Sequence, residues 1–301
     1  MKIQKKKESL QMSSMELIKK LRDTTGSGIV DCKKALAEND DDLDAAVKWL
    51  REKGILKAQK KQDRETNEGV VSFYNHEDPS SFALCQIKCE TDFVAKNENF
   101  LSFANDLTKS IFENDNIADT GSLNDLSSLK MDEKDLNTAL TDLISKIGEN
   151  IQIVSYKKYK SDNSIFIQYL HNKYNSSASK IASVVEVSTD NIVETKKIID
   201  SLKVIAMQVS AMKPMALDEK SINQKTLDDE KDIILKQIEN TPDDKKEQIV
   251  KGKLNKFVKE NTLLGQALIT DPKNTVSNYI LTLSKENNLN LNITSMDLYT
   301  I

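Results

Sequence analysis

Side chains able to do covalent or metal chemistry are scarce in this sequence. Three cysteines, Cys32, Cys85 and Cys89, and two histidines, His76 and His171, are all the thiol and imidazole in 301 residues. The Cys85–Cys89 interval is wrong for a zinc ribbon, and two histidines are too few to complete plausible sites. On a strand, Cys85, Ile87 and Cys89 share one face, so small apolar packing is the better reading. A nucleophile pair made of Cys85 or Cys89 with His76 has no further support in the sequence. Gly26-Ser27-Gly28 lacks the Gly-Lys-Ser/Thr of a phosphate-cradling loop, so the chain is not expected to bind GTP itself. The residues alone support no catalytic residue, cofactor or metal, and leave a thiol-dependent enzyme open beside a non-enzyme.

Cys89-Glu90-Thr91-Asp92-Phe93-Val94-Ala95-Lys96-Asn97 carries more information. Thr91 is suited to cap a helix, because its hydroxyl can accept from an orphan backbone N–H. Asp92 then falls in the first turn, where a negative charge suits the helix dipole. Phe93 sits where the chain changes direction, and its ring can pack inward or project. If one helix runs on from Phe93, then Phe100, Ala104, Leu107 and Ile111 lie on its face. That periodicity favours core packing of Phe93.

The elements around this corner follow from pattern and punctuation. Ser14 to Lys53 reads as three short helices. The first turns Met15, Ile18 and Leu21 inward and ends at Gly26 and Gly28. The second presents Ile29, Val30, Ala35 and Leu36. The third holds Leu43, Ala46, Val47 and Leu50, and ends before Gly54. Ile55 to Glu68 is a charged connector, read as solvated because Asp63, Glu65 and Glu68 interleave with its lysines. Val70–Tyr74 and Phe82–Cys89 form a β-hairpin around His76–Ser80. After the Thr91 helix and a polar linker, another helix runs to Ile147. Strands over Ile151–Tyr159, Ile165–Leu170 and Ile181–Val187 precede a helix from Asp190 to Met212. Strands followed by helices occur twice, which suggests two similar α+β subdomains.

Glu219 to Asn261 is polar, with sparse apolar positions at Leu227, Ile233, Ile234, Ile238, Ile249, Leu254 and Phe257. Thr241-Pro242-Asp243 breaks it midway, as a helix stop and cap would. A narrow seam with charged flanks suits two antiparallel helices that project. The Thr275–Asn287 helix and a strand over Leu289–Ile301 close the chain.

Composition excludes several classes. Lys and Arg number 43 against 47 Asp and Glu, a net charge of −4, whereas a general nucleic-acid binder would be strongly basic. An odd cysteine count without framework spacing suggests reduced thiols in the cytoplasm. No apolar run approaches a membrane span. Residues 1–13 read as a disordered basic tail without the apolar stretch of a secretory signal.

The ETDFVAKNENF stretch resembles the signature of the bacterial elongation factor Ts family, the guanine-nucleotide exchange factors for elongation factor Tu. Four further family-like blocks occur in the family's order. They are Leu21–Gly28 running into Asp31–Leu36, Lys146–Ile151, Ile205–Pro214, and Leu263–Ala267 with Asp271-Pro272 and Thr275-Val276. The resemblance implies an α+β fold with antiparallel sheets: a ubiquitin-associated-like three-helix domain (14–54), a linker (55–68) and a two-subdomain core (69–150 and 151–301). A projecting coiled-coil hairpin (219–261) is inserted in the second subdomain. The family's common C-terminal helical extension is not evident.

The resemblance also implies a non-enzyme with a partner, elongation factor Tu, met in its GDP-bound and nucleotide-free states, and neither nucleic acid nor membrane. Thr91, Asp92, Phe93 and Val94 would then form a turn that projects from the core and disturbs the partner's magnesium site. Arg22, Ile29, Val30 and Lys33 would anchor the N-terminal domain. Ile147 matches a contact position, though core packing explains it equally well. His171 matches a second contact region, or is a surface loop histidine. The family's glycine after it is Asn172 here, which tolerates left-handed backbone. Two other classes stand beside this one: a helical or chaperone-like adaptor, and the thiol enzyme already named.

Overall fold

The computed structural model describes residues 14–301, apart from His76, Asp132, Glu133 and Asn240. The expectations for the 1–13 tail and for His76 lie outside the described residues. The chain is α+β with antiparallel sheets and divides into two compact units. One holds the residues up to Tyr74 with Ala83–Lys158 and Ile301; the other holds Asn75–Phe82 and Tyr159–Thr300. The sequence reading divides the core at 150/151, whereas the first unit keeps the strand that begins at Ile151 as far as Lys158.

The first unit begins with three helices, α1 (Ser14–Thr25), α2 (Ile29–Ala37) and α3 (Leu43–Gln59). They share a small core of Leu17, Leu21, Cys32, Ala35, Leu36 and Ala46. One expectation fails here. Met15 is exposed, because the buried stripe of α1 is Leu17–Leu21, four residues apart. Ile29 and Val30 are exposed, because α2 buries the Cys32-Ala35-Leu36 face. A second correction concerns length: α3 passes through Gly54 and takes in the start of the expected connector. A Cβ there would sit 2.6 Å from the Ser145 hydroxyl, which would have to turn away.

The hairpin forms as expected, with β1 (Glu68–Tyr74) paired antiparallel to β2 (Ser81–Cys89) and Ser72 opposite Cys85. Both faces of β1 are covered, so it reads as a nearly unbroken buried run. Gly69, with φ +149, lets the strand pass Ile87, whose carbonyl oxygen a Cβ would strike. Two helices follow, α4 (Asp92–Ala95) and α5 (Glu98–Glu113), then the short strands β3 (Thr120–Gly121), β4 (Lys130–Met131) and β5 (Lys134–Asp135). Helix α6 (Leu136–Ile147) and strand β6 (Ile151–Lys160) complete the unit, whose sheet runs β1-β2-β6-β3. α5 packs on β1, and α3 packs on α6.

In the second unit, β7 (Ser164–Lys173) pairs antiparallel with β8 (Ala178–Ser188). The helix expected over Asp190–Met212 is two, α7 (Ile192–Lys196) and α8 (Ile199–Met212). Next come α9 (Gln224–Gln237), α10 (Asp243–Asn261), β9 (Ala267–Leu268), β10 (Asp271–Thr275), α11 (Val276–Asn287) and β11 (Asn292–Thr300). β11 pairs antiparallel with β8 on the side away from β7. Ile165, Ile167, Val185, Val187, Leu202, Ile205, Val209 and Ile280 belong to the core packed against this sheet.

α9 and α10 have a separate small cluster of Ile234, Ile238 and Val250, flanked by Ile249 and Leu254. Ile233, expected in the seam, is exposed instead. The two ends of the pair meet where Ala216 bridges Thr262. Replacing residues 226–256 by a short glycine–serine linker should therefore spare the core. A urea melt of that variant should stay cooperative; a broad, non-cooperative loss of signal would show that the pair is integral to the unit.

Candidate functional site

The corner after β2 is built from successive caps. The Cys89 thiol donates to the Thr91 carbonyl at 3.2 Å. Thr91 is extended, with φ −125 and ψ 156, and its hydroxyl oxygen accepts from the Val94 N–H at 3.4 Å. The single turn of α4 ends when Asn97 donates to the Val94 carbonyl at 2.9 Å. Asn97 then caps α5, its side-chain oxygen accepting from the Asn99 N–H at 2.9 Å.

This second cap decides the fate of Phe93. A continuous helix would carry Phe93 into the stripe of Phe100, Ala104, Leu107 and Ile111, all of which are fully buried. The break at Asn97 takes it off that stripe. Phe93 is 81% exposed, while Val94 and Ala95 below it are buried. The ring is a surface group. Asp92 beside it pairs with Lys96 at 2.8 Å, one helical turn on, an exposed pair of small energetic weight.

A second segment braces the corner from a distance in sequence. α6 ends at Gly148, left-handed with φ +90, and the chain turns back. The next residue, Glu149, accepts twice from Thr91: from its hydroxyl at 2.7 Å and its N–H at 3.0 Å. The Asn150 N–H donates to Glu90 at 2.6 Å, and its amide donates to the carbonyls of Arg64 at 2.8 Å and Gln62 at 3.2 Å. The Lys146 ammonium donates to the Asn99 side-chain oxygen at 2.7 Å, and its stem lies against Gly26. Sequence reasoning named only Ile147 here, and it is half-buried at the end of α6. It missed Glu149 and Asn150, whose only signal was that they lie inside a family-like block.

The remaining predicted residues are distributed as follows. Arg22 is exposed in the last turn of α1, and its carbonyl accepts from the Gly26 N–H at 2.7 Å. In α2, Ile29 is 56% and Val30 80% exposed, with Lys33 also exposed one turn on. All of these, with Thr91–Val94 and Ile147, belong to the first unit. His171 belongs to the second, exposed near the end of β7 with its Nδ1 3.2 Å from the Tyr169 hydroxyl. Asn172 adopts the left-handed conformation expected of it, with φ +53.

Residues 90–301 match the family described as Elongation factor TS, and residues 3–61 match the one described as Elongation factor Ts, mitochondrial, N-terminal. The chain is 38% identical to the elongation factor Ts of Alkalilimnicola ehrlichii over 265 residues, covering 87% of this chain and 85% of that one. It is 37% identical to that of Halothermothrix orenii over 285 residues, 93% and 89% of the two chains. With that of Clostridium novyi it shares 36% over 277 residues, 91% and 88%. The chain belongs to the elongation factor Ts family. Its role is that of a translation elongation factor, and the braced corner opens the longer of the two matches. No helix among the described residues is long and apolar enough to cross a membrane.

The thiols of this family member are poorly placed for chemistry. Cys85 and Cys89 are fully buried. Burial, reinforced by the carboxylates of Glu149 and Glu68, pushes the Cys89 thiol up to about 12. Burial alone pushes Cys85 up further. An unfolded thiol ionises near ~8.5, so above that pH the native state holds more protons than the unfolded one. Stability should therefore fall as pH rises from ~8.5 towards 12. At pH 8, iodoacetamide should leave both thiols unmodified in the native protein and label both in urea. Rapid native labelling of either would contradict the buried assignment.

Proposed function

We propose that this chain binds elongation factor Tu carrying GDP, promotes release of the nucleotide, and is displaced when GTP re-enters. The observation that carries the reading is Phe93: a large aromatic ring, 81% exposed, on a turn fixed by capping and by Glu149. Hiding such a ring favours folding, so its exposure on a braced corner supports use against a partner.

Linkage limits how such a factor can work. A protein that weakens GDP binding must itself bind the GDP-free partner more tightly. Couplings of the usual ~1–3 kcal/mol would not empty a tight nucleotide site, so a large contributor to affinity has to be removed. Magnesium bridging the phosphates is the natural target, being the largest local charge. Asp92 and Phe93 act by displacing the partner's metal-site region, without ligating the metal. Thr91 caps the turn, and Val94 supports it from below. Arg22, Ile29, Val30 and Lys33 anchor a ubiquitin-associated-like domain on the partner. Ile147 and His171 supply further contacts. α9 and α10 act as a coiled-coil projection. No covalent step, nucleic acid or membrane is involved, and the chain works in the cytoplasm.

The exposed Ile29 and Val30 also favour a second reading, a general protein-interaction adaptor. Gel filtration separates the two. A complex with nucleotide-free Tu that dissolves on adding excess GDP supports exchange. A complex indifferent to GDP supports the adaptor, and no complex at all contradicts both.

A further inference from the structure

We propose that Glu149 is the positioning residue of the exchange site: its carboxylate fixes Thr91, and through Thr91 the direction in which Phe93 projects. The inference rests on the exchange reading and deepens it. A helix of one turn cannot hold itself, because nucleation fixes several dihedrals for very few bonds. The bonds that tie the turn to its cap residue are long: Ala95 N–H to the Thr91 carbonyl at 3.2 Å, and Val94 N–H to the Thr91 hydroxyl at 3.4 Å. The two bonds from Thr91 to Glu149, 2.7 and 3.0 Å, are shorter, and their acceptor is charged.

The geometry makes the carboxylate specific. One oxygen takes the hydroxyl and the other takes the N–H of the same residue, so side-chain rotamer and peptide plane are fixed together. Phe93 stands two residues on, in the single turn that Thr91 opens. Glu149 is itself held. Gly148 caps α6 in the left-handed region before it, and Asn150 pins Glu90 and the Gln62–Arg64 backbone after it. Glu149 thus sets the turn from a segment 58 residues away in sequence.

A merely structural Glu149 and a positioning one differ in their coupling to Phe93, which a double-mutant cycle measures. The variants are Glu149→Ala, Glu149→Gln, Phe93→Ala and Glu149→Ala with Phe93→Ala. The readouts are labelled-GDP release from Tu across a range of chain concentrations, urea melts, and hydrogen exchange of the Thr91 amide. Glu149→Ala should lower the saturating release rate about tenfold or more, since a misplacement of ~1 Å at a working group is that costly. The half-saturating concentration should move less, because the anchoring contacts remain. Glu149→Gln, which keeps one acceptor, should fall between. In the Phe93→Ala background, Glu149→Ala should change the rate less than about twofold.

A wild-type rate in Glu149→Ala overturns the proposal, and so does its full effect persisting without Phe93. If Glu149→Ala does not fold, Thr91→Val, which removes one donor, serves in the same cycle. If the wild-type chain itself leaves GDP release unchanged, the exchange reading fails. The Thr91 amide then still judges the brace: faster exchange in Glu149→Ala upholds it, and unchanged protection overturns it.

Discussion

Phe93→Ala should leave the protein as stable as the parent and strip it of most of its exchange activity. The ring is 81% exposed, and exposed substitutions usually change stability by no more than ~0.5 kcal/mol. An aromatic anchor entering a partner pocket can carry ~2 kcal/mol or more, so GDP release from Tu should slow by more than about tenfold at fixed magnesium. Asp92→Ala should impair release in the same direction, and the two losses should overlap because neighbours couple. A strongly destabilised Phe93→Ala protein, or a stable one with normal exchange, contradicts the role given to this ring.

Phe100→Ala should do the reverse. Seven residues on from Phe93, Phe100 is fully buried in α5 among Ala104, Leu107 and Ile111. Truncating it removes buried ring surface and leaves a cavity, at a cost of ~3–5 kcal/mol. A urea melt should show a large fall in the midpoint with an unchanged slope. Release measured well below that midpoint should be near normal. A melt like the parent's would mean that α5 does not pack as described.

This pair marks what a sequence read residue by residue can and cannot tell. The stripe from Phe100 to Ile111 is legible because a period of 3.6 is all that it needs. The status of Phe93 is not, because it turns on a local event: Asn97 caps a new helix instead of continuing the old one. Both caps are polar residues of the right type, and only the backbone shows that both are used. The first helix posed a similar choice. Met15–Ile18 and Leu17–Leu21 are both apolar pairs at helical spacing, and contact with α2 and α3 selects the second. Which apolar residues of α2 stay outside was not legible in its pattern: Cys32, Ala35 and Leu36 fill the packed face and leave Ile29 and Val30 exposed.

Long-range bonds were the least legible. Nothing in the local pattern of Glu149 announces Thr91, or in that of Asn150 the carbonyls of Gln62 and Arg64. Such partners arise from the way α6 and β2 are brought together, which no periodicity encodes. The hairpin of β1 and β2 lay at the other extreme, because turn residues between two apolar runs fix it locally.

The central claim is tested most directly by release of labelled GDP from purified elongation factor Tu, followed with and without this chain in excess unlabelled GDP. The chain should raise the release rate in a saturable way. If incoming nucleotide displaces it as proposed, a small fraction of an equivalent should exchange the whole Tu population. A rate that stays at the intrinsic value at every concentration of the chain would contradict the account.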